Sequence, residues 1–164
     1  MKSFIAFAVI VFLCSSCTSY FYVVRHAERL DNNSDSPLSE TGFARAQVLK
    51  DTLKPISISK IFASTYLRTR QTAQPTADDK NLSLTLYDPD TTAGLITRLK
   101  KIKGSRVLVT GHSDNVPAIV AGLSNQTVPA IASNDFDNFY VIKIRYFFGV
   151  KRWLWHKTYG QPSP

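Results

Sequence analysis

Short apolar runs that each stop abruptly at polar residues constrain this chain most. Residues 20–24 (YFYVV), 58–63 (ISKIFA) and 106–110 (RVLVT) are rich in aromatic and β-branched side chains, the composition of buried strands. Residues 82–86 alternate apolar and polar, which suits an edge strand. The segments between them read as helices. Ser39 is placed as the N-cap of a helix running to residue 53, with Phe43, Ala46, Val48 and Leu49 on its apolar side and Pro55 stopping it. Residues 66–79 read as a helix kinked or broken at Pro75. Residues 92–102 are helical and closed by Gly104, and a further helix over 116–123 is capped by Asp114. Residues 139–146 and 151–159 alternate around Gly149 and read as a β-hairpin or two sheet strands, with Trp153 and Trp155 on one face. Strand and helix thus alternate four times before the closing strands. With 164 residues, the length of a single domain, this order predicts an α/β fold: a three-layer α/β/α sandwich with a mostly parallel central sheet.

Open α/β sheets place their sites just past the C-terminal ends of the strands. Three polar stretches fall there: Arg25-His26-Ala27-Glu28, then Ser64 to Ala73 (STYLRTRQTA), then Gly111-His112-Ser113. Each alone has an ordinary structural explanation, such as a capped helix start or a solvated arginine. Together they bring two histidines and at least two arginines to one edge of one sheet. Clustered cations repel unless an anion binds between them, and a guanidinium fork matches phosphate oxygens two at a time. A neutral imidazole nitrogen can attack phosphorus to give a phosphohistidine that water then hydrolyses. A second histidine can stabilise the charge that develops in transfer. No CxxC, HExxH or similar cluster suggests a metal site.

These motifs resemble the histidine phosphatase superfamily, also called phosphoglycerate mutase-like. Its strand-Arg-His-Gly opening corresponds to Arg25-His26-Ala27. Its Leu-Thr/Ser-x-x-Gly-x-x-Gln-Ala corresponds to residues 38–46, with Arg45 in the Gln position and expected to face solvent. Its Ser-x-x-x-Arg-x-x-Gln-Thr-Ala corresponds to residues 64–73, and its Gly-His-Ser to residues 111–113. The resemblance spans roughly residues 21–123. It implies His26 as nucleophile, a phosphate pocket of Arg25, Arg68 and His112, and no cofactor or metal. Arg29 and Arg70 would add positive field. Larger members supply a Glu as general acid from a segment that is short here, and residues 74–110 contain no Glu. The carboxylates available there are Asp78, Asp79, Asp88 and Asp90, of which the Tyr87-Asp88-Pro89-Asp90 turn is the one expected to reach the pocket; Asp114 and Glu28 are further options, and Asp88 and Asp114 rank first. The implied activity is hydrolysis of phosphate monoesters through a phosphohistidine on His26. A non-catalytic phosphate- or phosphosugar-binding lipoprotein and a phosphomutase are the alternatives. Pocket walls are expected from the segments 30–37, 80–92 and 126–138.

The N-terminus reads as a targeting segment. Lys2 precedes an unbroken apolar run over residues 4–13, and Ser15, Ser16 and Cys17 follow. The run matches a signal h-region and is too short to span a bilayer. The Ser-Ser-Cys end resembles the lipobox of bacterial lipoproteins, although Cys14 stands where that family prefers Leu. This divides the chain into a lipoprotein-type signal, 1–16, and a phosphatase domain, 17–164, with Cys17 lipidated. The implied location is exported and membrane-anchored, periplasmic or outer-membrane facing. Both cysteines lie in this segment, so no disulfide is expected in the mature domain. The formal charge of +8 favours anionic partners. Those expected are a small phosphorylated substrate or a surface phosphoglycan or phospholipid, and the membrane through Cys17, but no nucleic acid. Because the domain begins so soon after Cys17, the pocket is expected to work close to the membrane surface.

Overall fold

In a computed structural model, residues 18–163 are described; the expected signal segment, 1–16, and the expected lipidation site, Cys17, lie outside them. Six strands form one sheet in the order β3-β2-β4-β1-β5-β6. β1 (Thr18–Arg25), β2 (Lys60–Ser64), β3 (Leu84–Tyr87) and β4 (Arg106–Gly111) are mutually parallel. β5 (Asn138–Arg145) runs antiparallel to β1, and β6 (Lys151–Thr158) antiparallel to β5. The helices are α1 (Glu40–Leu53), α2 (Leu67–Lys80), α3 (Thr92–Lys100) and α4 (Val116–Ser124).

Alternation along the central strands builds two cores. Phe21, Val23, Val107 and Val109 face α3 and α4, packing on Leu95, Leu99, Ile119 and Leu123. Tyr22, Val24 and Leu108 join Leu49, Leu53, Ala73 and Ala77 of α1 and α2 on the other face. The result is an α/β/α sandwich whose parallel strands end together, carrying residues 25–26, 64 and 111–112 to one edge.

Three local readings are corrected. Pro75 neither breaks nor ends α2, which runs through it. Its buried face, Thr69, Thr72, Ala73, Thr76 and Ala77, holds the helix on the sheet despite the hydrogen bond that proline removes. In α1 the buried line is Gly42, Arg45, Ala46, Leu49 and Leu53, while Phe43 and Val48 are exposed. Helical periodicity puts 42, 45–46, 49 and 53 on one stripe, so Arg45 falls on the inward face and not in solvent. Asp114 does not cap α4; the preceding residue is Asn115, whose Oδ1 accepts from the His112 backbone N–H at 2.8 Å.

Candidate active site

The family-like motifs are the fasteners of this edge. Ser39 caps α1 by accepting from the Gly42 N–H at 3.1 Å, and its own N–H bonds the Glu28 carbonyl at 2.9 Å. A Cβ on Gly42 would overlap that same carbonyl oxygen, so only glycine lets α1 approach the loop after β1. Gln71 Oε1 accepts from Leu38 N–H at 2.8 Å, and Thr72 Oγ1 from Ala27 N–H at 2.9 Å. The Gln-Thr pair of α2 therefore clamps the segment that carries His26.

A cleft of about 290 Å³ opens at the C-terminal ends of β1, β2 and β4. It is lined by Arg25, His26, Arg29, Arg68, His112 and Asp114, with Tyr66, Asp90 and Ser133 at its sides. His26 is buried, and its backbone N–H bonds the Gly111 carbonyl at 2.8 Å, joining the two histidine-bearing strand ends. Its Nδ1 lies 2.7 Å from the Ala27 carbonyl, which only accepts, so Nδ1 carries the proton and Nε2 keeps its lone pair. The His112 ring lies edge-on to it, 5.2 Å between centroids.

His112 is fixed the other way round. Arg68 Nη2 approaches its Nδ1 at 3.4 Å, and a guanidinium only donates, so Nδ1 is the acceptor. Nε2 then donates to Ser64 Oγ at 2.7 Å, Ser64 to Thr69 Oγ1 at 2.8 Å, and Thr69 to the Tyr66 carbonyl at 2.7 Å. The serine that opens the second motif is thus a tautomer-setting support for the histidine of the third.

The arginines are held by neutral acceptors. Arg25 gives three N–H bonds to the carbonyls of Ala132, Ser133 and Asp135, at 2.7, 3.0 and 2.9 Å, with its guanidinium 4.2 Å from the Phe136 ring centroid. Arg68 donates to the Ser34 carbonyl at 2.8 Å, and Arg29 to Asn32 Oδ1 at 2.7 Å. Among the described residues, none of the three forms an ion pair with a carboxylate. The cleft therefore concentrates positive charge that is oriented but not neutralised.

Two of the three expected wall segments line the cleft, through Pro89 and Asp90 and through Ser133, while the 30–37 segment supports it through the Ser34 carbonyl that holds Arg68. The sequence places the 126–138 loop at the pocket wall but gives no sign that it grips Arg25. The loop has no motif, and it is tied down from the far end of the chain by Ser163 Oγ, which accepts from Phe136 N–H at 2.7 Å. Asp88 does not line the cleft: its carboxylate accepts from Asp90 N–H at 3.0 Å, and Asp90 is the residue that faces inward. Glu28 is committed to Arg45, at 2.7 Å. Arg70 points away, into a groove between α2 and β3 that holds no histidine. Among the described residues, no group of three His, Cys, Asp or Glu side chains could hold a metal ion.

Burial dominates the electrostatics of both rings. It pushes His26 down to about 3, with Arg25, His112 and Arg68 adding to the effect against the Ala27 carbonyl. It pushes His112 down to about 4, with Arg68 next in weight. Burial also lowers Arg25 to about 10. Both imidazoles are therefore neutral at pH 7. An unfolded histidine titrates near 6.5, so between roughly pH 4 and 6.5 the unfolded chain binds more protons and stability must fall as pH falls. Thermal unfolding at pH 5 is expected several degrees below its value at pH 7. A His26→Asn variant should show a shallower decline, and identical slopes would contradict the buried, neutral placement of this ring.

The family model described as Histidine phosphatase superfamily (branch 1) matches residues 21–89. A 60-residue stretch is 42% identical to the Photorhabdus laumondii protein named Probable phosphoglycerate mutase GpmB, covering 32% of this chain and 28% of that one. The chain thus matches less than a third of that relative's length. Among solved structures, the protein histidine phosphatase SixA complexed with tungstate superposes with a TM-score of 0.62 at 23% identity, covering 85% of this chain and 96% of that one. A mycobacterial glucosyl-3-phosphoglycerate phosphatase in complex with inorganic phosphate superposes at 0.64 with 14% identity, over 82% and 94%. The fold is that of the histidine phosphatases, and the family model's match lies over the part of the chain that carries Arg25, His26 and Arg68.

Proposed function

We propose that this chain is a phosphatase of the histidine phosphatase superfamily that hydrolyses phosphate monoesters through a phosphohistidine on His26. One observation carries the reading. His26 keeps a bare Nε2 lone pair, its other nitrogen locked on Ala27, in a cleft where three arginines have no carboxylate partner. A phosphoryl group bound among Arg25, Arg68 and Arg29 supplies the carboxylate-like partner that these guanidiniums do not have among the described residues. The Nε2 lone pair attacks phosphorus, the P–O bond to the leaving group breaks, and the leaving oxygen takes a proton. Water then attacks the phosphohistidine, returning His26 and releasing inorganic phosphate.

The bound anion also changes His112. Neutral, its Nδ1 accepts from Arg68; beside a phosphoryl dianion the protonated form is favoured, and Nδ1 then donates to an equatorial oxygen. Asp114 is the carboxylate best placed to serve the leaving group. It lines the cleft, and its charge acts on Arg25, Arg68 and His112. Asp90, at the cleft side, is the alternative.

A second substrate class deserves the same test. The SixA neighbour is named a protein histidine phosphatase. Apart from Arg25 at the end of β1 and Arg68 in α2, short connecting segments wall this cleft, which leaves room for a phosphoryl group borne on a protein, so a phosphohistidine peptide belongs beside small esters in the assay.

The test is release of p-nitrophenol from p-nitrophenyl phosphate, and of phosphate from the phosphopeptide, by the wild type and Arg68→Ala. Loss of a charge-assisted contact to the transferring group is worth about 3 kcal/mol, so kcat/KM should fall roughly a hundredfold. No turnover of either substrate by the wild type, together with phosphate binding, would establish the non-catalytic binder instead.

A further inference from the structure

Half of the chain's positive charge lies in two segments that carry no negative charge. Residues 91–113 and 138–164 contain no Asp or Glu, yet hold ten of the 20 lysines and arginines. The sheet brings parts of these segments, around residues 102–106 and 143–152, together at the edge opposite the cleft. Thr18 at the start of β1 is opposite Arg145 in the β1–β5 register, and Arg145 is opposite Lys151 across the β5–β6 hairpin. Ser19 Oγ donates to the Ile102 carbonyl at 3.0 Å, and Lys103 Nζ sits 3.1 Å from the Tyr146 ring centroid. Lys103, Arg145, Lys151 and Arg152 thus surround one turn.

That turn is apolar. Phe148 is 90% exposed, and Val150 and Phe147 are exposed beside it. Phe148 and Gly149 have positive φ, 51° and 92°, a tight turn that projects the phenyl ring outward. A phenylalanine in the left-handed region, almost wholly exposed, has a cost that its one ring contact, edge-on to the exposed Phe147 at 4.2 Å between centroids, does not offset by burial. Aromatic tips ringed by lysine and arginine suit the interface of an anionic bilayer, where rings enter the acyl boundary and the cations meet headgroup phosphates. The same charges on β6, an edge strand, disfavour pairing with a second copy.

We propose that the β5–β6 turn, through Phe147, Phe148 and Val150 with its basic collar, docks on an anionic lipid surface. This contact is independent of the activity and of any modification of Cys17. It also sets the direction of the cleft. Thr18 and Arg25 stand at opposite ends of β1, about 23 Å apart at the usual rise per strand residue. The cleft then opens into solution, which turns around the expectation that it works at the membrane surface. Among the described residues no helix is long and apolar enough to cross a membrane, and docking requires none.

The full chain, reconstituted on vesicles, tests this in two ways. First, hydrogen exchange of the unaltered protein should slow several-fold at residues 146–152 on phosphatidylglycerol-containing vesicles relative to phosphatidylcholine alone. Second, Phe148→Trp in a Trp153→Phe, Trp155→Phe background should show blue-shifted emission and quenching by lipids brominated on their acyl chains. Replacing Lys103, Lys151 and Arg152 with Gln should remove the preference for the anionic vesicles. Unchanged exchange at 146–152 with the protein bound to anionic vesicles would overturn the proposal. So would protection that grows with protein concentration without lipid, which would assign the turn to self-association. If the tryptophan variant misfolds, the exchange measurement on the wild type decides.

Discussion

His26→Ala should remove essentially all turnover, a loss on the order of 10⁴-fold or more, while the protein keeps its fold and its affinity for oxyanions. The scale follows from deleting the atom that forms the covalent bond; losses of this size are typical when a nucleophile is removed from a site whose remaining groups act with it as a unit. Arg25 and Arg68 are held by backbone carbonyls and not by His26, so the anion site should survive. Stability should survive too. A neutral, buried imidazole contributes one hydrogen bond, to Ala27, and its removal relieves the acid-side destabilisation described above. The measurements are steady-state release of p-nitrophenol, calorimetric binding of tungstate, and trapping of radiolabelled phosphate from a labile phosphomonoester. The wild type should carry an acid-labile, base-stable label on His26, and the variant none. Label on a serine or aspartate would remove the mechanism. Turnover within tenfold of the wild type would show that the bare Nε2 is not the nucleophile.

What the sequence revealed and what it hid follow one physical division. Local rules act at strand ends and helix starts, and there most of the reading holds, the start of α4 excepted: the α/β/α sandwich, the Ser39 cap, and the placement of Arg25, His26, Arg68 and His112 around one cleft are all seen in the structure. These features are legible because β-branched runs, capping residues and parallel topology each constrain position without reference to distant sequence. Some errors are local, as with Asp114 read as the α4 cap and Pro75 read as a break, and others involve long-range partners. Arg25 is gripped by residues more than a hundred positions away, and that loop has no pattern of its own. Asp88 and Asp90 differ by two positions in one turn, and only the turn's own hydrogen bonding decides which faces the cleft. Arg45 looked solvated because arginine usually is, yet the stripe through Gly42, Ala46, Leu49 and Leu53 marked its position as inward all along.

Arg45 consequently makes a prediction of stability and not of catalysis. Its guanidinium is buried, with Nε 2.8 Å and Nη2 2.7 Å from Glu28 Oε1, and Nη1 bonding the Tyr159 and Gln161 carbonyls at 3.0 and 2.9 Å. Burial works against its charge, but the Glu28 hydrogen bonds and charge outweigh it and hold the pKa up. The side chain thus pins the residue after the His26 motif, the first helix and the C-terminal tail to one another. Arg45→Ala strands the Glu28 carboxylate, partly buried, and frees two carbonyls. Breaking one side of such a pair costs about 3 kcal/mol, less than the full buried figure because Glu28 keeps some solvent. For a chain of this length that corresponds to a drop in Tm of roughly 6–12 °C. Glu28 touches no reacting atom, so turnover per folded molecule at low temperature should stay within a few-fold of the wild type, in contrast to Arg68→Ala. Glu28→Gln together with Arg45→Met should recover part of the loss, since the uncompensated charge disappears with its partner. A Tm unchanged in Arg45→Ala would mean that the tail and the Glu28 loop are held by other contacts. A hundredfold fall in turnover with Tm intact would move Arg45 from the scaffold into the phosphate site.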